Sequence, residues 1–184
     1  MSRRTLARAA VPVLGLAVAL AAVVPATAQN APSKATLKAI DKSEFKANRY
    51  VQDGSRFDRD VTVIKSGGTL TLVNKTEAPH TFSLVKKSDL PRNLAGMEAC
   101  FSPKGACGKL AVAHEAIDPA TGEEREEPGI LLVNVGKDGF DQPGDSIFLA
   151  PKSKEKVKIT AKKGAKLSFL CGIHSWMQGT LEVK

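Results

Sequence analysis

Long amphipathic helical patterns are missing from this sequence, and so are the compact motifs of nucleotide chemistry. Gly67-Gly68 is too short to form a phosphate-binding loop or a dinucleotide fingerprint. No nucleophile-plus-base arrangement stands out. Aromatic residues make up only 5% of the chain and no basic run is interleaved with them, so the scattered Lys and Arg read as solvated sheet faces and no nucleic-acid partner is expected. His and Met are scarce as well, at three each, Met1 included. Each of them therefore has to be accounted for singly.

The N-terminus carries the first positive signal. Arg3, Arg4 and Arg8 precede an apolar run from Ala9 to Val24, which ends in the small residues Ala26-Thr27-Ala28. That is the pattern of an export signal cut before Gln29. Pro12 and Gly15 interrupt the run and no polar stop-transfer pattern follows, which argues against a retained membrane anchor. Residues 1–28 are thus read as a signal peptide, and the mature chain is expected in the periplasm, outside the cell or at its surface. Ser2-Arg3-Arg4-Thr5-Leu6 resembles a twin-arginine signal, but a Sec signal can hold the same pair, so the route stays open. No Cys stands at the cut to anchor a lipid.

About 156 residues then remain, enough for one domain with a well-buried core. Removing the three signal arginines leaves 24 basic against 19 acidic residues, a mild excess spread along the chain. Period-two alternation recurs: 61–64, then 69–74 after the tight Ser66-Gly67-Gly68 turn, then 80–84, 130–135, 145–149, 155–161, 166–171 and 178–183. Short strands bounded by turn residues predict an all-β sandwich or barrel. Residues 29–44 read as a polar, flexible mature N-terminus, and the domain proper as 45–184. Residues 86–128 break the alternation with Pro91, Pro103 and the acidic run Glu123 to Glu127 ending at Pro128. They read as a long insertion with short helices near 94–99 and 108–116.

Three cysteines are an odd number for an exported protein. Cys100 and Cys107, in a Gly/Pro-containing loop, suit a local disulfide, which would stabilise by about 2.5 kcal/mol in the chain-entropy model. Cys171 is left as an unpaired thiol. In 166–171 it shares a face with Leu167 and Phe169, and in the earlier strand His80 shares one with Phe82 and Leu84. Both side chains head inward at a strand end. His174 and Met177 follow Cys171 at three-residue intervals, and a thiolate, two imidazoles and a thioether form the donor set that suits copper in electron-transfer sites. His114 has no partner at a ligand spacing and reads as a surface residue.

The stretches Asn74-Lys75-Thr76-Glu77-Ala78-Pro79-His80 and Cys171-Gly172-Ile173-His174-Ser175-Trp176-Met177 resemble the cupredoxins, or small blue copper proteins. The Cys-x-x-His-x-x-Met spacing is most similar to that of amicyanin, whereas plastocyanins usually have a longer His-to-Met gap. The resemblance covers roughly 45–85 and 129–184, and it implies a Greek-key β-sandwich holding one type 1 copper on His80, Cys171, His174 and Met177. It further implies a monomeric one-electron carrier, not an enzyme, with a redox partner protein. The solvent-facing edge of His174, rimmed by Ile173 and Trp176, would be its electron route. Two departures are the length of 86–128 and Thr81, where many members have Asn.

A copper-handling protein, a chaperone or resistance factor, could use the same donors. Zinc could occupy two His and a Cys, although Met favours copper. Multicopper enzymes need more His than this chain has, since only His114 remains after His80 and His174. A dinuclear centre needs a second Cys beside Cys171, and a metal-free scaffold leaves the exported thiol unexplained.

Overall fold

The computed structural model describes residues 30–118, 120–125 and 127–184. The expected signal peptide, 1–28, lies outside them. The strands are β1 Lys34–Ile40, β2 Glu44–Lys46, β3 Tyr50–Gln52, β4 Arg56–Phe57, β5 Val61–Ile64, β6 Thr69–Asn74 and β7 His80–Val85. Helices α1 Leu94–Phe101 and α2 Ala106–Ala113 follow, then β8 Leu132–Val133, β9 Ser146–Leu149, β10 Lys154–Lys158, β11 Lys166–Leu170 and β12 Gln178–Val183. Among the described residues no helix is long and apolar enough to cross a membrane.

Two sheets form a Greek-key β-sandwich, one in the order β10-β6-β1-β4 and the other β5-β12-β11-β7-β9-β8. Most neighbours are antiparallel, but β1 runs parallel to β6 and β5 to β12. The Ser66-Gly67-Gly68 turn explains part of this. It does not close a hairpin; it carries the chain from β5 in one sheet to β6 in the other. Gly67 takes φ 76°, open to glycine at no steric cost, and a Cβ on Gly68 would stand 2.7 Å from the Lys65 carbonyl oxygen.

Alternation sets the core. Phe82 and Phe169 face each other at 4.8 Å between ring centroids, and Phe57 meets Phe169 edge-on at 5.2 Å. Leu37, Leu72 and Leu181 complete this interior, each fully buried side chain contributing about 1.5–3 kcal/mol. The aromatic cluster underlies the ends of β7 and β11. Cys171 packs in the same cluster.

Two expectations need correction. The flexible tail expected over 29–44 is corrected at 34–40, which form β1, paired on one side with β6 and on the other with β4. Leu37 and Ala39 are buried while Lys34 and Lys38 face out, and small apolar residues between lysines carry too little hydropathy to stand out. The candidate strand 130–135 shrinks to Leu132–Val133.

The 86–128 insertion holds both expected helices, and a Cys100–Cys107 disulfide joins them. The disulfide packs with Leu110 against Val85 and Leu170. Leu170 pairs with Ser83, so the helices cover the outer face of β7, and every residue of that strand is buried.

Candidate metal centre

His80 opens β7 after a loop that Asn74 organises. Its Nδ2 donates to the carbonyl oxygens of Ala78 and Ala150 at 2.8 and 3.0 Å, and its Oδ1 accepts from the Thr76 N–H at 2.9 Å. Each such bond contributes about 1 kcal/mol net, and more is lost if one buried partner goes missing. Thr76 Oγ1 also lies 2.9 Å from Asn74 Oδ1 and from His80 Nε2. Whether the hydroxyl proton goes to Asn74 Oδ1 or to the Ala78 carbonyl, also 2.9 Å away, Nε2 donates to Thr76 and Nδ1 keeps its lone pair.

The other donors sit on the loop after β11. Cys171 N–H donates to the Met177 carbonyl at 2.9 Å, and Met177 N–H donates to the His174 carbonyl at 2.8 Å. These bonds fold 171–177 back on itself. His174 Nδ1 then stands 3.8 Å from Cys171 Sγ and 3.0 Å from His80 Nδ1, while His80 Nδ1 is 3.7 Å from the sulfur. Met177 is buried in the same core cluster as Cys171.

The donor spacing fits a single metal ion. With metal–nitrogen bonds of about 2.0–2.1 Å and a metal–sulfur bond of about 2.3 Å, a nitrogen and the sulfur about 120° apart lie roughly 3.8 Å from each other, and two nitrogens about 3.5 Å. The two sulfur–nitrogen separations match this, while the two Nδ1 atoms, 3.0 Å apart, stand closer and subtend a narrower angle at the ion. The sulfur also receives two backbone N–H groups, from Thr81 at 3.3 Å and His174 at 3.4 Å. Burial pushes the Cys171 thiol pKa up, and these N–H groups oppose the shift, as suits a site where a cation must complete the thiolate.

Burial lowers the His80 pKa to about 4, with the neighbouring His174 charge adding to the effect. His174 is also held below its ordinary value by burial, while Asp53 and Asp41 pull it back up. Both imidazoles are therefore neutral at pH 7, the form that ligates. His80, Cys171 and His174 with Met177 are suited to a type 1 copper site. Fold and donor set are cupredoxin-like.

No family model and no curated protein matches the chain. Solved structures of related outline include an auracyanin from Roseiflexus castenholzii, 16% identical over 84% of this chain and 99% of that one, with a TM-score of 0.41. A purple cupredoxin from Nitrosopumilus maritimus is 12% identical over 82% and 99%, also at 0.41. Auracyanin A from Chloroflexus aurantiacus is 18% identical over 82% and 99%, at 0.39. The assignment of the cupredoxin-like site rests on the strand order and donor distances given above.

The cupredoxin-like centre is closed on one side and open on the other. His174 alone among the four residues reaches solvent: its Nε2 lies 3.8 Å from Asp53 Oδ2, and its side chain is 15% exposed. Ile173 and Trp176 flank it, both partly exposed, and Trp176 meets the imidazole edge-on at 5.3 Å while donating its Nε1–H to Ser55 O. One sequence expectation fails here. His114 is not on the surface but 2% exposed, hydrogen-bonded to Ile130 and Ser146. Thr76 and Asp53 were also missed, because neither has a ligand spacing; the only signal for Thr76 was its place four residues before His80.

Proposed function

We propose that this chain is an exported one-electron carrier that holds one type 1 copper through His80, Cys171 and His174, with Met177 as weak axial donor. The observation that carries the reading is the buried free thiol, set between two Nδ1 atoms and receiving two N–H groups. Bound copper would supply the reversible couple between Cu(II) and Cu(I). The protein's part is to fix the donors. His80 is held by Thr76, and the 171–177 loop by its own backbone bonds, so little has to move when the charge of the site changes.

Burial favours a carrier over a copper-handling protein. A protein that passes on its metal needs donors a recipient can reach, yet His80 and Cys171 are both 0% exposed. An electron needs only a short path, which the edge of His174 offers. A redox partner protein would dock on the surrounding face, where Ile173 and Trp176 are partly exposed. Export rests on the signal pattern of residues 1–28, and the monomeric state on the resemblance.

The test is a Cu(II) titration of residues 29–184, followed by visible absorption and EPR. An intense thiolate-to-copper band with narrow copper hyperfine splitting, saturating at one equivalent, is expected. Cys171→Ser should abolish that band and keep the circular dichroism of the sandwich. A colourless wild-type protein, or a band retained in the variant, would sink the reading.

A further inference from the structure

A continuous run of hydrogen bonds joins the insertion to the thiol. His114, just past the end of α2, has Nδ1 2.6 Å from Ile130 O and Nε2 2.7 Å from Ser146 Oγ. Ser146 Oγ is 2.6 Å from Ser83 Oγ, its cross-strand partner between β9 and β7, and Ser83 Oγ is 2.8 Å from Thr81 Oγ1. Thr81 Oγ1 accepts the Gly172 N–H at 2.7 Å, next to the thiol. Every side chain in the run is buried.

Counting protons fixes the direction of the run. The Ile130 carbonyl can only accept, so Nδ1 of His114 carries hydrogen. Burial holds this imidazole below its ordinary pKa, with the bond to Ile130 opposing, so the ring is neutral at pH 7 and Nε2 accepts. The single proton of Ser146 points to Nε2, and its oxygen accepts from Ser83. Ser83 has then used its proton and accepts that of Thr81. The Thr81 hydroxyl proton is thereby committed to Ser83, on a residue whose own N–H donates to Cys171 Sγ at 3.3 Å and whose Oγ1 accepts the N–H of Gly172.

We propose that His114 is a positioning residue for the thiol: as the terminal acceptor it orients three hydroxyls one way and keeps the Thr81 O–H from donating to Cys171 Sγ. The hydroxyl order belongs to the chain alone, and only its redox consequence rests on the copper reading. A hydroxyl given to a thiolate withdraws electron density from it, which lowers its donation to a bound cation and favours the reduced site. Releasing the Thr81 proton should therefore raise the reduction potential.

The metal-free protein gives two readouts. Imidazole 15N spectra should show His114 with hydrogen on Nδ1. Because Cys171 is the one free thiol among the described residues, its S–H stretching band in Raman spectra reports hydrogen bonding at that sulfur. His114→Phe, which removes the acceptor, and Ser83→Ala, which removes the partner of Thr81, should both shift the band. His114→Gln, which restores an acceptor beside Ser146, should return it toward wild type. If His114→Phe does not fold, Ser83→Ala carries the test alone. Copper-loaded Ser83→Ala should show a raised potential. Hydrogen on Nε2 in wild type, or an S–H band unmoved in Ser83→Ala, would overturn the proposal. A wild-type protein that passes both metal-free tests but gives no blue band would keep the hydroxyl order and remove only the copper reading.

Discussion

His80 and His174 turn the same nitrogen toward Cys171 Sγ, at 3.7 and 3.8 Å, but one begins a strand and the other lies inside a loop. Their outer nitrogens differ more. Nε2 of His80 ends on a buried hydroxyl of Thr76, itself tied to Asn74, whereas Nε2 of His174 looks past Asp53 into solvent. One imidazole belongs to the frame and the other to the surface. A single donor type thus serves two purposes, chosen by what stands behind it: rigid anchoring on one side, access on the other.

The comparison breaks most sharply by deleting each imidazole. His80→Gly and His174→Gly should both lose the blue band, but added imidazole should restore a strong visible band only in His174→Gly, where the vacated space opens to solvent. Equal rescue in visible spectra would erase the distinction. Next in size is the hydroxyl behind His80. Thr76→Val leaves a buried N–H without a partner and should cost about 1–3 kcal/mol in urea unfolding of the metal-free protein.

Acid sharpens the contrast without mutation. In the metal-free protein both imidazoles have folded pKa values below the unfolded value of about 6.5, His80 reaching about 4. The unfolded chain then binds protons first as pH falls, so the stability associated with neutral imidazoles is complete above about pH 6.5 and is lost on acidification toward the folded values. Urea midpoints should fall between pH 7 and pH 4.5 and stay level between pH 7 and pH 8. A flat profile across the acid range would contradict the burial argument. The smallest effect is expected at Asp53, which is itself partly exposed. Asp53→Asn should change stability by less than about 0.5 kcal/mol and lower the His174 titration midpoint in NMR spectra, and that of His80 as well, since the Asp53 charge raises both.

Much of this centre could be read from the chain because its donors are local. Cys171, His174 and Met177 fall within one loop, and alternation in 80–84 and 166–171 was enough to turn His80 and Cys171 inward. The supports behind the donors were not legible. His114 meets Ile130 and Ser146 only because the insertion folds back over β7, and no sequence spacing announces that contact. β1 was hidden for another reason: its core face is built from Ala35, Leu37 and Ala39 between lysines, so its strand identity comes from pairing with β6 more than from its own hydropathy.

The same arrangement orders events during synthesis. One imidazole comes from position 80 and the remaining donors from 171–177, separated by the insertion and four further strands, so a nascent chain that has emerged only as far as β11 holds one of the four donors. Ligation must wait for the most distant contacts in the chain, which are the slowest to form. Metal capture thereby becomes a late checkpoint on biogenesis, met only by chains whose first and last halves have already found each other.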